Sequence, residues 1–171
     1  MRKWKNSQAI ATAIDKQANR IAKHYYGKQV VMVVVLKGAF IFSADLIRAL
    51  SKYMCYPTIE FIYASSYGKE QKSSGTVDYH CPPSTFFNLK NKYILLVDDI
   101  CDTGLTLKTL RVQLEQADNI VSTCVLIKQI SKKSLFIPDF VCVEKMTKEF
   151  VIGYGLDDME GKRGLPDIYT I

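Results

Sequence analysis

Acidic, hydroxyl and glycine residues that could take part in chemistry lie together in the middle of the chain. Asp98 and Asp99 follow an apolar run at residues 94–97, while Asp102 and Gly104 precede leucines at helical spacing. A helix N-terminus offers free N–H groups and a positive dipole end to a phosphate, whereas two acids repel that phosphate unless they face hydroxyls or a metal. A phosphorylated sugar satisfies both demands.

A plainer interpretation exists for each of these features alone. Asp102 could serve only as a helix cap, and Asp98 and Asp99 could be a solvated strand end. The concentration of acids, glycine and hydroxyls in one loop favours a ligand site over that interpretation.

The elements that must position these residues are predicted from apolar runs without alternation, which are typical of strands buried on both faces of a parallel sheet. Val30–Leu36 is such a run, and it ends at Lys37 and Gly38 before a predicted helix over residues 39–50. Other predicted elements are an amphipathic helix over Ser7–His24 and strands at residues 58–64, 120–128 and 140–144. The pattern predicts an α/β fold with a parallel twisted sheet flanked by helices, whose ligand crevice lies at the carboxyl ends of the strands.

Size and composition predict one domain over residues 1–171, because 48% of the 171 residues are hydrophobic. The five cysteines are odd in number and lack C-x-x-C spacing, which argues against a disulfide framework and a zinc site. With no apolar segment long enough to span a bilayer, we expect a soluble cytoplasmic protein with reduced thiols. Residues 65–83 are rich in Ser, Gly, Lys and Tyr and predict a long flexible lid loop.

Four separated segments carry a resemblance to a known family, and one of them, residues 65–68, looks like the opening of the flexible loop of that family. Residues 97–106 resemble the phosphoribosyl-pyrophosphate signature of purine phosphoribosyltransferases, with Asp98 where Glu is common. Residues 35–46 resemble the pyrophosphate loop of the hypoxanthine-guanine branch, in which a cis peptide often precedes the residue matching Lys37. Residues 149–166 resemble the purine-binding segment of that branch. The resemblance implies the type I phosphoribosyltransferase fold, with a small hood made from the C-terminal and N-terminal parts, including residues 149–171.

The resemblance also implies residue roles. Asp102 would be the catalytic proton acceptor at N7 of the base. The expected phosphoribosyl-pyrophosphate contacts are Lys37, Gly38, Ser66, Tyr67, Asp98, Asp99, Asp102, Thr103, Gly104, Leu105, Thr106 and Arg163. The expected purine contacts are Lys128, Phe150, Val151 and Asp157, and the expected Mg²⁺ ligands are Asp98, Asp99 and Asp157. Residue type alone leaves Lys37 and Lys128 open to being solvated lysines and Phe150 to being a core residue.

The implied activity is purine salvage, in which a 5-phosphoribosyl group passes from its pyrophosphate to N9 of hypoxanthine and/or guanine, giving IMP or GMP. The implied assembly is a homodimer or homotetramer with no nucleic-acid or membrane partner. The net charge of +6 also suits a regulator that binds RNA, but no Arg-rich or aromatic-interleaved surface is evident. A response-regulator receiver is excluded, because only about half of the chain such a domain needs follows Asp98.

Overall fold

The computed structural model describes residues 1–65, 78–80, 89–130, 134–156 and 161–171. In chain order its elements are β1 (Arg2–Lys5), α1 (Ser7–His24), β2 (Val30–Leu36), α2 (Phe40–Ser51), β3 (Thr58–Ser65), β4 (Asp78–His80), β5 (Tyr93–Cys101), α3 (Leu105–Glu115), β6 (Ile120–Gln129), β7 (Phe140–Lys145), β8 (Val151–Ile152) and β9 (Ile168–Thr170). A short 3-10 turn covers Lys162–Gly164.

The apolar strands form the main sheet, in the order β4-β3-β2-β5-β6-β7. Strands β3, β2, β5, β6 and β7 are parallel, as the apolar runs predict, and β4 joins the edge antiparallel to β3. The centre of the sheet is fully buried, with Val33 paired to Leu96 and Leu96 to Thr123. Because the five strands are parallel, their carboxyl ends share one edge.

Helices cover both faces of this sheet. Residues Ile10 and Ile14 of α1 and Phe42 and Leu46 of α2 pack with Leu95 and Val97 of β5. Leucines 107, 110 and 114 of α3 pack instead with Ile94 and Leu96. Successive side chains of a strand point to opposite faces, which explains how one strand serves both cores.

The two ends of the described chain meet in a second, antiparallel sheet of order β1-β9-β8. Arg2 and Val151 are both paired with Thr170. The Tyr154 hydroxyl donates to the Asp45 carboxylate, which ties this sheet to α2. The small sheet forms the hood that the family resemblance implies, and we use "hood" for residues 2–5 and 149–171.

The predicted lid needs one correction. Strand β4 lies within residues 65–83, so part of this segment extends the main sheet rather than forming a loop. Residues 66–77 and 81–83 lie outside the described residues. Among the helices that the structure describes, none is both long enough and apolar enough to cross a bilayer.

Candidate active site

The carboxyl ends of β2 and β5 lie where the strand order of the main sheet reverses. From β2 the chain moves outward to β3, and from β5 it moves the opposite way through β6 to β7. Open α/β sheets bind ligands at such a reversal. The turn at Lys37 and Gly38 follows β2, and Asp98 and Asp99 lie near the end of β5, so two predicted motifs come together here. The peptide between Leu36 and Lys37 is cis, as the resemblance implies.

Gly38 is the point at which the β2 turn touches the acid pair. A Cβ atom at this position would lie 2.5 Å from Cγ of Asp99 and would overlap its Oδ2. Only a residue without a side chain leaves that carboxylate in place. The Gly38 carbonyl oxygen in turn packs so tightly against Gly155 that a Cβ there would clash with it, and Gly155 also has a φ of +97°.

Arg163 completes this corner of the site from the hood. Its Nη1 donates to the Gly155 carbonyl at 2.6 Å, and the Gly155 N–H donates back to the Arg163 carbonyl at 2.9 Å. The guanidinium acts on the Asp99 carboxyl, where its positive charge opposes the effect of burial on the pKa. The structure therefore brings together Gly38, Asp99 and Arg163, which are far apart in sequence.

The two acids stand in a protected environment. Asp98 is only 7% exposed, and its Oδ1 accepts from the Asp99 N–H at 2.9 Å. Asp99 is half-buried, and its Oδ1 accepts from the Ile100 N–H at 2.7 Å. Burial, and then the neighbouring Asp99 charge, raises the pKa of Asp98 well above its ordinary value, and burial raises the pKa of Asp99. The pair is thus suited to partners that donate hydrogen bonds or carry positive charge.

The loop from Asp102 to Gly104 leads into the N-terminus of α3. Gly104 is the N-cap residue with a φ of +80°, a left-handed conformation that favours glycine. The Thr103 hydroxyl accepts from the Leu105 N–H at 3.3 Å, whereas Asp102 makes no capping bond and is exposed. The interpretation of Asp102 as only a helix cap is therefore wrong.

The first turn of α3 has no acidic residue, and it carries Leu105 and Thr106. A Cβ at Gly104 would lie 2.5 Å from Cβ of Phe136, so the glycine also allows the chain after β6 to pack closely against this loop. The Leu135 N–H donates to the Thr103 carbonyl at 2.7 Å and fixes the same contact. These two contacts fix the loop at the carboxyl end of β5, the strand that carries the acids.

Lys128 lies near the end of β6, the strand between β5 and the edge strand β7. Its register partners are Cys101 on β5 and Glu144 on β7, and its side chain is half-buried. Burial raises the pKa of the Cys101 thiol to about 11, and the Lys128 charge acts against that rise. The ammonium therefore stands beside the β5 loop rather than on an open surface.

The predicted purine contacts Phe150 and Val151 lie in the hood. Phe150 is 49% exposed, so the interpretation of this ring as a core residue is wrong. Val151 is buried and pairs with Thr170, and the Phe150 carbonyl accepts from the Ile171 N–H at 3.0 Å. The backbone is fixed while the aromatic ring stays accessible.

Lys145, the last residue of β7, is a buried charged residue that no sequence motif indicates. This lysine is 1% exposed, and burial lowers the pKa of its ammonium below the ordinary value. It lies within electrostatic reach of Asp102 and precedes the segment that leads to Phe150. The sequence predicts a strand that ends one residue before this lysine, and no local pattern indicates that the lysine is buried. Its burial depends on how β7 aligns with the neighbouring strand β6.

Three predicted site residues, Ser66, Tyr67 and Asp157, lie outside the described residues. The others stand at the carboxyl edge of the main sheet, in the α3 loop or in the hood.

Comparison with known proteins agrees with this geometry. The family model for the phosphoribosyl transferase domain matches residues 3–159. The hypoxanthine-guanine phosphoribosyltransferase of Aquifex aeolicus is 40% identical over 165 residues, which cover 95% of this chain and 89% of that protein. The enzyme of that name from Dictyostelium discoideum is 33% identical over 159 residues, covering 92% and 87%.

A solved structure gives the same result. The hypoxanthine phosphoribosyltransferase from Trypanosoma cruzi, in complex with the product IMP, superposes with a TM-score of 0.84 at 34% identity, over 99% of this chain and 93% of that chain. The parallel five-stranded sheet flanked by helices is that of a type I phosphoribosyltransferase. The chain therefore belongs to the phosphoribosyltransferase family, in its hypoxanthine-guanine branch.

Proposed function

We propose that this protein transfers the 5-phosphoribosyl group from phosphoribosyl pyrophosphate to N9 of hypoxanthine or guanine, giving IMP or GMP and pyrophosphate. The observation that carries the proposal is the meeting of the Gly38 turn, the Asp99 carboxylate and the Arg163 guanidinium at the sheet reversal. The relatives that are named for this activity cover nearly the whole chain, which supports the same reaction.

The donor's phosphates and its sugar have different partners. The 5-phosphate binds at the α3 N-terminus, where Thr103, Gly104, Leu105 and Thr106 supply N–H groups and hydroxyls. The pyrophosphate lies beside Lys37, Gly38 and Arg163, whose two cations balance the charge that develops as it leaves. The ribose hydroxyls donate to Asp98 and Asp99, which relieves the unfavourable burial of these two carboxylates.

The same acid pair fits a magnesium ion. Magnesium usually binds through one or two carboxylates together with substrate phosphates, rather than in a cage made only of protein. Among the described residues, which do not include Asp157, no group of three or more His, Cys, Asp or Glu side chains could hold a metal by itself. Asp98 and Asp99 would hold Mg²⁺ together with the donor, and Asp157 belongs to the same proposal. When bound, the ion makes pyrophosphate a better leaving group by neutralising negative charge.

The chemical step depends on position and charge. The sugar carbon passes through an oxocarbenium-like state, so the chain aligns the base and the leaving group instead of forming a covalent bond with the sugar. Asp102 accepts the proton from N7 of the base as N9 bonds to the sugar. Its carboxylate is exposed in the loop that directly follows β5, which leaves it accessible for this transfer.

The base is held by contacts of three kinds. The Lys128 ammonium donates to the six-oxo group, because a carbonyl oxygen accepts and an ammonium can only donate. The accessible Phe150 ring stacks on the purine, and the Val151 backbone reads the edge of the ring. Ser66 and Tyr67 belong to the proposed lid, which excludes water from the closed site.

The proposed setting is a cytoplasmic homodimer or homotetramer. Cys55, Cys101, Cys124 and Cys142 are free thiols among the described residues, which suits a reducing compartment. The Phe61 side chain on β3 is 47% exposed, and contact with a second copy of the chain could bury it. Light scattering of the purified protein would decide between the oligomeric states.

The proposed function is tested by incubating the protein with phosphoribosyl pyrophosphate, Mg²⁺ and each of hypoxanthine, guanine, xanthine and adenine. We expect nucleotide from hypoxanthine or guanine and hardly any from adenine. Asp102→Asn should reduce kcat by about a hundredfold or more, the usual range for losing a positioned general base.

Asp118→Asn is the matched control, because Asp118 is exposed, lies outside the site and has a positive φ that asparagine tolerates. Adenine used as well as hypoxanthine, or full activity in Asp102→Asn, would contradict the proposal.

A further inference from the structure

A buried ammonium stands at the point where the sheet meets the hood. Lys145 Nζ donates to the carbonyl oxygens of Thr147, at 2.5 Å, and Glu149, and to Oε1 of Gln129 at 3.2 Å. All three acceptors are neutral oxygens, and two of them belong to the chain just before Phe150. An ammonium has three donors, so these contacts satisfy it.

Gln129 reinforces the same contacts from the neighbouring strand. Its Nε2 donates to the carbonyls of Lys145 at 3.1 Å and Thr147 at 2.9 Å. The Thr147 carbonyl therefore accepts from two side chains. We call Gln129, Lys145 and the carbonyls of Thr147 and Glu149 the Lys145 clamp.

The clamp joins the two elements that are proposed to contact the base. Gln129 follows Lys128 directly, and Glu149 directly precedes Phe150. The Phe150 ring is 49% exposed, so its own packing does not fix it, and its position depends on the backbone on either side. On the C-terminal side, the Ile171 N–H donates a hydrogen bond to the Phe150 carbonyl. On the N-terminal side, the Lys145 clamp holds the Glu149 carbonyl.

The charge of Lys145 is needed for this arrangement. Taking an ammonium out of water is unfavourable unless oxygen acceptors replace the water. A methionine of similar length would fill the space, but it would remove the Lys145 donor from the Glu149 carbonyl and leave the Thr147 carbonyl with Gln129 Nε2 alone. These two residues are exposed, so their carbonyls can turn to water, and the segment moves while the main sheet stays folded.

We propose that Lys145 is a positioning residue. Its buried ammonium holds residues 146–149 in place, so that Phe150 and Val151 contact the same purine as Lys128. The proposal rests on the proposed function for its substrate. It assigns Lys145 to binding of the base rather than of the sugar donor, because the donor's proposed contacts lie at Gly38, Asp99, the α3 loop and Arg163.

The test compares Lys145→Met with Lys148→Met, the same substitution at an exposed lysine of the same segment. Lys145→Met should raise KM for hypoxanthine between about tenfold and a hundredfold, with KM for phosphoribosyl pyrophosphate changed by less than about threefold. Lys148→Met should leave both constants as they are. Gln129→Met should also raise KM for the purine. In the double variant, KM for the purine should rise by less than the product of the two single effects, because both substitutions disrupt the same clamp.

Hydrogen exchange gives a readout that is independent of catalysis. Residues 146–151 should exchange faster in Lys145→Met than in the wild type or Lys148→Met, while β5 stays protected. Equal rises in both KM values, or unchanged exchange at 146–151, would overturn the clamp. A wild type that transfers to no purine would instead refute the proposed function, and the exchange result would still decide whether Lys145 holds the segment.

Discussion

Substituting Gly38 by alanine should displace the Asp99 carboxylate without unfolding the protein. The added Cβ would overlap Asp99 Oδ2 and stand 2.5 Å from Asp99 Cγ, so the carboxylate must retreat by at least about 1 Å to reach an ordinary contact of 3.4 Å. The obstructing atoms are the end of a side chain that can rotate, so the loss of stability should stay below about 2 kcal/mol. A misplacement of about 1 Å in an aligned site costs about a hundredfold in rate, which is the loss we expect in kcat/KM for phosphoribosyl pyrophosphate.

The assay measures kcat/KM for each substrate and the Tm. Gly164→Ala is the matched control, because a Cβ at Gly164 meets no atom within 4 Å. The decisive comparison places Gly38→Ala in an Asp99→Ala background, where the clash is gone and the second substitution should add little. The steric cause is excluded if Gly38→Ala keeps kcat/KM for phosphoribosyl pyrophosphate within about threefold of the wild type, or if its effect is as large without the Asp99 side chain.

Three further predictions concern the charged residues of the site. Asp99→Ala should raise KM for phosphoribosyl pyrophosphate at least about tenfold more than KM for the purine, since it loses hydrogen bonds to the sugar; equal rises would count against this role. Burial and the Asp99 charge raise the pKa of Asp98 above its ordinary value of 3.8, so the folded state binds this proton more tightly and wild-type stability falls as pH rises through the raised pKa. Asp98→Asn should therefore raise the Tm by a few degrees at pH 7, with the gain vanishing near pH 3 in thermal melts; the same gain at both pH values would exclude this cause. Lys128→Met should lower kcat/KM for hypoxanthine about ten- to a hundredfold and reduce the ratio of kcat/KM for hypoxanthine to kcat/KM for adenine. Full activity with hypoxanthine in this variant would contradict the proposed contact between Lys128 and the six-oxo group.

Most of the main sheet could be predicted because its strands are apolar runs with strong local signals. Val30–Leu36 and Ser7–His24 have the bounds predicted for them. The hood strands escaped prediction individually because β1, β8 and β9 have four, two and three residues, too few to show a period. Their pairing joins residues that are distant in sequence, which local patterns do not encode.

The site was predictable where its residues form a local motif and not where they meet only in space. The acids and Gly104 belong to one short stretch, so their types and order already indicate a phosphate and a sugar. The contact between Gly38 and Gly155 joins a strand end to the hood, and the burial of Lys145 depends on the register between β6 and β7. Such contacts require the fold before they can be recognised.

The placement of β9 between β1 and β8 has a consequence for synthesis on the ribosome. A nascent chain can assemble the parallel sheet before residues 168–170 emerge, but β1 finds no partner until then. The contacts that hold Phe150 and Val151 on their C-terminal side, the Ile171 N–H bond and the pairing with Thr170, form in the same late step. A growing chain would therefore form the proposed donor-binding residues of the main sheet before it completes the hood around Phe150. A stop codon shortly before Ile168 would release a chain with a complete main sheet, in which β1 and β8 both lack the strand that pairs with them.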